Sequence, residues 1–369
     1  MAAPGASLAQ KEETRVAREG EINLFGKPLT RHELRKRAGR LEQIAGITPL
    51  VFDDGPARGA RALRFRTGGG LSFDVLPDRG MDLAAAEYRG VPLAWLSHTG
   101  VVAPSLYEPE SEGWLRSFGG GMLVTCGLQN TGPPGERDGE RLGLHGRASN
   151  TPASNVSREV RWDETGCELL ARGEIRESRV FGPNLALRRK ISARLGEPKL
   201  RIEDEVENEG FGPEPLMLLY HINLGWPLLD ETSRLTGPGA TGEPPEPRDA
   251  DAQSGLETWN WFAAPTPGFA ERVFYHSPEA NAEGWAEARL ENPTLGLALA
   301  VRFRPEELPE FVQWTMTGEG TYVLGLEPAT CRVGGYEAEE AAGRVIRLEP
   351  GEVRRYRLEI EVSPTGGVS

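Results

Sequence analysis

The sequence predicts an all-β protein, a large antiparallel β-sandwich with a short helical extension at its N-terminus. Beyond residue 45 the chain consists of short runs of β-type residues separated by Gly, Pro, Asn and Asp, which is typical of strands and turns. Several neighbouring runs are joined by tight turn sequences, as hairpins require. In Leu200–Asn208 the apolar residues all fall on one parity, and Val353–Val362 alternates similarly. Such strands bury one face, and sheets built from them pack face to face.

Residues 1–45 are the predicted extension, and their one helical signal begins at Thr30. Thr30 and Glu33 have the spacing of a capping box, in which each side chain accepts a free backbone N–H at the helix start. Apolar residues then recur every three or four positions, which predicts one buried stripe on a helix reaching position 45. The stripe consists of Leu34, Ala38, Leu41 and Ala45. Residues 46–365 are the predicted β-sandwich domain.

The predicted strands of this domain follow one another closely. The first four are Ala62–Arg66, Leu71–Leu76, Leu83–Tyr88 and Met122–Leu128. Three hairpins are predicted further on, joining Asn155–Trp162 to Glu168–Ile175, Leu185–Arg194 to Lys199–Val206, and Ala286–Glu291 to Gly296–Arg302. Their loops hold the Gly, Pro and Asn that tight turns favour.

One later segment, Pro215–Leu229, is almost continuously apolar, which predicts a central strand buried on both faces. It nevertheless contains a histidine, His221, and an asparagine, Asn223. The Gly-, Pro- and acid-rich stretch Thr236–Ser254 is predicted to be a long loop. It lies either over the rim of a cleft or as an excursion on the surface.

Composition excludes several classes of protein. The net charge is −13, and no strong basic patch offsets it, so nucleic acid and anionic membranes are not expected partners. The N-terminus lacks the features of a secretory signal, and no run is long and apolar enough for a membrane helix, which predicts a cytoplasmic protein. The three cysteines are scattered, without zinc spacing, and are expected to be core residues.

Three residues stand out as candidates for chemistry. His145 lies in a Gly-rich segment, and His221 interrupts a buried strand, where an imidazole must find hydrogen-bond partners or destabilise the fold. Glu327 ends an apolar run and precedes Pro328, so it is expected to be poorly solvated and a stronger base than a carboxylate in water. A carboxylate and an imidazole facing one pocket would supply a matched base and acid.

These residues stand in a longer signature that resembles the galactose mutarotase-like (aldose 1-epimerase) superfamily, and in particular a bacterial branch whose substrate is unproven. The order is Gly143-Leu-His-Gly146, then the buried strand with His221 and Asn223, then Leu326-Glu-Pro328. The wider signature comprises Asp78-Arg-Gly-Met-Asp82, Pro92-Leu-Ala-Trp-Leu-Ser97, Gly119-Gly-Gly121, Thr125-Cys-Gly-Leu128, Leu144-His-Gly-Arg147, Thr151-Pro-Ala153 and Tyr220-His-Ile-Asn223. The resemblance covers roughly residues 20–362 and is specific for the superfamily as a combination.

The resemblance implies a β-supersandwich catalytic domain and a reaction without cofactor or metal. In such enzymes a glutamate takes the proton of the anomeric hydroxyl while a histidine protonates the ring oxygen of a free sugar, and the opened sugar recloses as the other anomer. Glu327 matches the base and His221 the acid. His145 matches a second histidine that binds sugar hydroxyls. A homodimer is a further possibility that the sequence leaves open.

The remaining substrate-binding candidates are less closely matched. Arg79 and Arg147 compete for the role of the family's substrate-binding arginine, and Asn223 follows the acid histidine closely. The family's usual aspartate has no clean match, and Asp230 and Asp82 are the candidates for it. Flat aromatic faces for a sugar could come from tryptophans: Trp95, Trp114, Trp226 and Trp314.

Two alternatives remain open at this stage. A metal-dependent sugar isomerase could use imidazole and carboxylate ligands, namely His98, His145, His221 and Glu327, although their spacing is not that of a local metal motif. A non-catalytic carbohydrate-binding or sensing protein could also be built on the same scaffold, because a fold does not determine a function.

Overall fold

The computed structural model of the protein describes residues 20–239 and 243–365. In chain order its strands are β1 (Ile22–Leu24), β2 (Lys27–Leu29), β3 (Gly46–Val51), β4 (Arg61–Arg66), β5 (Leu71–Leu76), β6 (Asp82–Tyr88), β7 (Val91–Pro92), β8 (Val124–Leu128), β9 (Gly135–Arg137), β10 (Glu140–Leu142), β11 (Ser154–Asp163), β12 (Gly166–Ser178), β13 (Asn184–Arg194), β14 (Lys199–Asn208), β15 (Glu214–Gly225), β16 (Arg234–Thr236), β17 (Glu246–Pro247), β18 (Arg272–His276), β19 (Ala286–Asn292), β20 (Leu297–Phe303), β21 (Glu310–Gly318), β22 (Thr321–Ala329), β23 (Ile346–Leu348) and β24 (Val353–Pro364). The α-helices are α1 (Arg31–Arg35), α2 (Ala250–Ser254) and α3 (Tyr336–Ala341). Short 3₁₀ turns occur at Leu41–Gln43, Gly55–Ala57, Pro104–Leu106, Gly113–Arg116, Ala148–Asn150 and Leu256–Thr258. None of the helices in the described part of the chain has the length and apolarity needed to cross a membrane.

Three antiparallel sheets make up the body of the protein. An eight-stranded sheet has the order β11-β12-β13-β14-β24-β20-β19-β16, and a seven-stranded sheet places β15 between β22 and the pair β8 and β23. A five-stranded sheet runs in sequence from β3 to β7. All three contribute to one hydrophobic core, with residues such as Phe73, Leu187 and Leu326 in the same cluster. The predicted all-β antiparallel sandwich is therefore confirmed.

The strands form where their side-chain pattern predicts them. In β14 buried and partly exposed residues alternate, and its neighbours β13 and β24 pair with it throughout. The three predicted hairpins are present as β11–β12, β13–β14 and β19–β20. Strand β15 is buried at every position after Glu214, which confirms the prediction of a central strand.

The N-terminal helix is shorter than the sequence predicts. The capping box at Thr30 and Glu33 is present, yet α1 ends at Arg35 and a separate 3₁₀ turn follows at Leu41–Gln43. Gly39 lies in the break, and glycine inside a helix is unfavourable. Leu34, Ala38 and Ala45 of the apolar stripe are still buried and Leu41 is partly buried, because packing, not helix propensity, decides their place. Residues 1–19 of the predicted extension lie outside the described residues.

The long loop predicted at 236–254 contains local structure that the sequence did not indicate. It includes the two-residue strand β17 and the helix α2, which Asp249 caps by accepting the Ala252 N–H. Residues 240–242 of this loop lie outside the described part of the chain. The loop reaches the edge of the seven-stranded sheet, because β17 pairs with β18 there.

Pairing within the seven-stranded sheet decides where the candidate residues meet. Strands β15 and β22 are antiparallel, with Ile222 opposite Leu326 and Leu219 opposite Ala329. This register places His221 across from Glu327, on the same face of the sheet. Opposite residues in an antiparallel pair have Cβ atoms about 4.5–5.5 Å apart, so the two side chains are within contact distance.

Candidate active site

A cavity of about 620 Å³ lies on the face of the seven-stranded sheet that points away from the main core. Alternation along the strands creates this arrangement, since Leu326 enters the core while Glu327 lines the cavity. Its lining residues are Trp114, Leu115, Phe118, Gly132, Pro133, Leu144, His145, His221, Arg248, Glu271, Val273, Tyr275, Val312, Trp314, Glu327, Val333 and Gly334. A larger hollow of about 790 Å³ beside α1 contains none of the candidate site residues.

The side chains of His221 and Glu327 meet in this cavity. His221 Nε2 lies 3.3 Å from Glu327 Oε1, and the two residues are 5% and 2% exposed. Among the described residues, Glu327 Oε1 has no hydrogen-bond partner of good geometry. A buried polar atom without a hydrogen-bond partner lowers the stability of the fold. Such atoms are common in sites that bind a ligand.

Glycine at position 325 makes room for the carboxylate. Gly325 precedes Glu327 on the same face of β22, and a Cβ atom there would lie 2.4 Å from Glu327 Oε1. It would also lie 3.0 Å from Cβ of Trp314, which is opposite Gly325 on β21. Any larger residue at position 325 would therefore displace the glutamate or the tryptophan.

Burial moves the pKa values of the pair in opposite directions. Desolvation raises the pKa of Glu327 well above its usual value, and the nearby Glu271 carboxylate adds to this effect. Desolvation lowers the pKa of His221 to about 3, and the neighbouring His145 contributes. Both shifts favour uncharged side chains. Over a wide pH range the pair therefore holds one proton in total.

His145 lies beside this pair, in the turn after β10. Its backbone has φ of 56°, in the left-handed region, and its N–H donates to Gly132 O at 3.0 Å. The Gly132 N–H donates in turn to His145 Nδ1 at 3.2 Å. Burial lowers the pKa of His145 to about 4, so the ring is neutral near pH 7 and carries its proton on Nε2. His145 thus offers one hydrogen-bond donor near His221, whose ring centroid is 6.0 Å away.

Aromatic rings form much of the wall. Trp114 stacks on Phe118 at 4.3 Å between centroids, and Trp314 lies edge-on to His221 at 5.4 Å. Trp95, a sequence candidate, packs behind them against Phe118 and Trp314 and does not line the cavity. Trp226 is exposed and also lies outside the lining.

A charged pair at the rim was not identified from the sequence. Arg248 Nη2 bonds Glu271 Oε1 at 2.9 Å, and Trp314 Nε1 donates to Glu271 Oε2 at 2.9 Å. Arg248 directly follows β17 and Glu271 directly precedes β18, so the pairing of two short strands brings them together. The only sequence signal was the prediction that the loop 236–254 could lie over a cleft rim.

Arg79 and Asp82 are not brought to the cavity. The guanidinium of Arg79 donates to the backbone carbonyls of Ser149, Val102 and Ser117, and burial lowers its pKa to about 10. It ties three loops together. Each of these hydrogen bonds goes to a backbone carbonyl, so Arg79 has a structural role in the described part of the chain.

Asp82 belongs to a buried ion-pair network. Asp82 accepts the Thr125 hydroxyl at 2.6 Å and pairs with Arg189 Nη1 at 3.0 Å. Arg189 also bonds Asp204 Oδ2 at 2.7 Å, and Tyr220 donates to the same oxygen at 2.8 Å. Burial raises the pKa of Asp82 to about 6, while Arg189 opposes the rise. The network joins the three sheets beneath the site.

Three further candidates for substrate binding, Asn223, Arg147 and Asp230, do not line the cavity. Asn223 is fully buried two residues beyond His221, and its amide donates to Gly121 O and His221 O at 3.0 and 2.9 Å. It does not line the cavity. Arg147 is exposed and outside the lining, and Asp230 caps a turn by accepting the Thr232 N–H at 2.7 Å.

The four residues considered as metal ligands do not converge. His98 is exposed and absent from the cavity lining, whereas His145, His221 and Glu327 all line it. Within residues 20–239 and 243–365, no group of three or more His, Cys, Asp or Glu side chains is placed to hold a metal ion.

The chain matches a protein family described as Domain of unknown function (DUF4432) over residues 57–362. It is also similar to the crystal structure of a candidate aldose 1-epimerase from Klebsiella pneumoniae, with a TM-score of 0.79 and 30% identity. That match covers 86% of this chain and 83% of the Klebsiella chain.

More distant structures have the same fold. A galactose mutarotase-like protein from Clostridium acetobutylicum is 14% identical with a TM-score of 0.62, covering 88% of this chain and 100% of that one. Galactose 1-epimerase from Lactobacillus acidophilus is 13% identical with a TM-score of 0.54, covering 87% of this chain and 99% of that one. At these identities the similarity concerns the fold alone.

Curated proteins match only in part. An S-adenosyl-L-methionine-dependent uroporphyrinogen III methyltransferase from Methanosarcina barkeri is 26% identical over 137 residues, which is 35% of this chain and 51% of that protein. Siroheme synthase 1 from Serratia proteamaculans is 26% identical over 134 residues, 36% of this chain and 27% of that protein. The chain thus spans about half or less of the length of these relatives. The matches also leave more than half of this chain uncovered.

Proposed function

The chain belongs to the DUF4432 family and to the galactose mutarotase-like superfamily, and on that premise we propose that it is an aldose 1-epimerase, which interconverts the anomers of a free sugar. One observation carries the proposal. His221 and Glu327 face each other at 3.3 Å in a cavity of about 620 Å³. Cavities of roughly 300–1,000 Å³ are typical of sites for small molecules.

The reaction requires one base and one acid. Glu327 takes the proton of the anomeric hydroxyl, and His221 gives a proton to the ring oxygen, so that the bond between the anomeric carbon and the ring oxygen breaks. Rotation about the bond between C1 and C2 turns the other face of the aldehyde toward the hydroxyl that recloses the ring. The two transfers then run in reverse. No proton is gained or lost over the cycle, and the chain needs no further co-reactant.

The protonation of the pair supports this role. A base and an acid working together need a single proton between them, and the opposite pKa shifts of Glu327 and His221 keep that proton count over a wide pH range. Tightening of the 3.3 Å contact into a hydrogen bond when the sugar binds would let the proton move from the carboxyl to the imidazole. The carboxylate is then the base and the imidazolium is the acid.

The walls of the cavity suit a sugar. The Nε2–H of His145 would donate to a hydroxyl or to the ring oxygen, and the carboxylate of Glu271, held by Arg248 and Trp314, would accept from hydroxyl groups. Trp114 and Trp314 offer apolar faces to the C–H side of the ring. Glu271 is our candidate for the acidic substrate-binding residue that the sequence did not identify.

Location in the cytoplasm stays a prediction from the sequence.

Polarimetry on freshly dissolved pure anomers tests the proposal. A panel of aldoses should include at least one whose rotation reaches equilibrium faster with the protein than without it. Treatment with a chelator should leave the rate unchanged, whereas a metal-dependent isomerase would stop and would recover with added divalent ion. Saturable sugar binding without faster mutarotation would contradict the proposal in favour of a sensor.

A further inference from the structure

Two neighbouring turns carry the same tripeptide, Phe-Gly-Pro, at residues 181–183 within the eight-stranded sheet and at residues 211–213 between that sheet and the seven-stranded one. Phe181 and Phe211 are 101% and 103% exposed, so no other residue in the described part of the chain covers their rings. Val180 is also exposed, beside Phe181. Single exposed apolar residues are common, but a cluster of fully solvated rings marks an interaction surface.

Hydrogen bonds hold both turns in shape. In the first turn, Arg179 N donates to Pro183 O at 3.0 Å. In the second, the Asn208 side chain accepts the Gly210 N–H at 2.9 Å and donates to Gly212 O at 2.8 Å. The rings are therefore presented by rigid turns, and little ordering cost remains for a binding event.

The two turns lie side by side. The first joins β12 to β13 and the second joins β14 to β15, and β13 pairs with β14 up to Leu185 and Asn208. Beyond that pair, Glu209 N donates to Asn184 O at 2.9 Å. The surface thus consists of two similar halves in contact, each with a phenyl ring at its tip.

Charge around the tips argues against lipid or nucleic acid. The guanidinium groups on and beside these turns are all bound to carboxylates: Arg179 to Glu140, Arg176 to Glu174 and Glu209, and Arg188 to Glu174, Glu207 and Glu209. The acidic groups of this cluster outnumber the basic ones, and the whole chain carries a net charge of −13. Because these guanidinium groups are already paired, none of the three is free to bind a lipid headgroup or a phosphate, and an apolar protein surface fits the two exposed rings better.

We propose that these two Phe-Gly-Pro turns are a homodimer interface, in which Phe181 of one copy packs against Phe211 of the other across a twofold axis. A twofold interface uses the same patch on both copies, so the contact between Phe181 and Phe211 of different copies occurs twice. A buried aromatic side chain contributes about 150–250 Å². The four rings of two copies supply most of the roughly 1,000 Å² that a specific interface needs.

Sedimentation velocity on the full chain tests the interface, with the double variant F181S/F211S and the matched control F25S. Phe25 is 74% exposed on a different turn, so its loss removes a similar ring elsewhere. The parent and F25S should be dimers at micromolar concentration, and the double variant should dissociate at least about 100-fold more readily. A monomeric parent, or a double variant that dimerises like the parent, would overturn the proposal. So would a monomeric parent that co-sediments with phosphatidylcholine–phosphatidylglycerol vesicles.

Disulfide trapping provides a second readout, because a cross-link forms only between folded copies and cannot be imitated by a variant that unfolds. The native cysteines, Cys126, Cys167 and Cys331, are all buried. An equimolar mixture of F181C and F211C should form a covalent heterodimer on mild oxidation, while a mixture of F25C and F211C should not. Equal cross-linking in both mixtures would contradict the twofold arrangement.

Discussion

Glu327 follows a glycine on its own face of the strand, and its carboxylate occupies the space that a side chain at position 325 would fill. A Cβ at Gly325 would lie 2.4 Å from Glu327 Oε1. The position of the base thus depends on a residue that takes no part in the chemistry. The pair also depends on His221 and Glu327 being buried, since desolvation is the largest cause of the separation of their pKa values.

Replacing Gly325 by alanine should therefore reduce activity more than stability. We expect kcat/KM to fall by about 10- to 100-fold, because a misplacement of roughly 1 Å is enough for such a loss. Gly39→Ala is the control, since a Cβ at position 39 meets nothing within 4 Å. Anomer interconversion and thermal unfolding should be measured on both. Parent-like activity in G325A would mean that the carboxylate does not act from this position.

The pH dependence of kcat/KM tests the shared proton. The pKa of His221 is lowered to about 3, so a second proton joins the pair only in strong acid. The pKa of Glu327 is raised, so the last proton leaves only well above the usual range of a carboxyl group. We expect activity to stay level as the pH falls through 6.5, the ordinary value for histidine. An acidic limb centred near that value would show that His221 titrates as a solvated imidazole.

At the scale of elements, the sequence predicted the positions of the strands well, but not which distant strands pair or in which register. Alternation and turn residues located the hairpins and the buried strand β15, because these signals are local. The contact between His221 and Glu327 depends on the register of β15 and β22, which no local pattern specifies. The resemblance to a family supplied that pair.

The other differences between the predicted site residues and the lining of the cavity have similar causes. Arg248 and Glu271 flank strands too short to show a periodicity, so they were missed. Asp82 and Arg79 lie in motifs of the family signature, but the sequence cannot distinguish a motif that binds a ligand from one that holds the scaffold. Buried partners from distant strands decide between the two, as Arg189 does for Asp82.

The network of Asp82 and Arg189 yields a prediction for this element of the fold. Asp82→Asn should lower the free energy of unfolding by about 3 kcal/mol, because it leaves a buried guanidinium partly unpaired. KM for the sugar should not change. Asp78→Asn is the control: it removes an ion pair with Arg61, whose side chain is half exposed, and should cost less than about 1 kcal/mol. Urea unfolding and steady-state kinetics would measure both effects. A raised KM with unchanged stability would restore Asp82 as a substrate-binding residue.

At the scale of the whole molecule, charge is expected to select among sugars. The chain carries a net charge of −13. At the rim, Arg248 is already bound to Asp249 and Glu271. Arg332, which lies over the ring of the lining residue Tyr275, is bound to Glu246 and Glu310. Neither guanidinium is left without a carboxylate to receive a phosphate group.

A neutral aldose should accordingly be a better substrate than its 6-phosphate, by about tenfold in kcat/KM at low ionic strength. The difference should shrink in about 1 M salt, where the screening length falls to about 3 Å. The two substrates can be compared by the same polarimetric assay at both salt concentrations. A preference for the phosphate that weakens with salt would indicate a cationic site instead.

The most direct test of the central claim is a cycle of variants at the catalytic pair. We predict that Glu327→Gln and His221→Gln each reduce kcat/KM for anomer interconversion by about 100-fold or more. The double variant should be no worse than the weaker single variant, because two groups that share one proton act as a unit. Sugar binding, followed by tryptophan fluorescence, should persist in all three. Retention of near-parental activity in either single variant would contradict the assignment of Glu327 and His221 as base and acid.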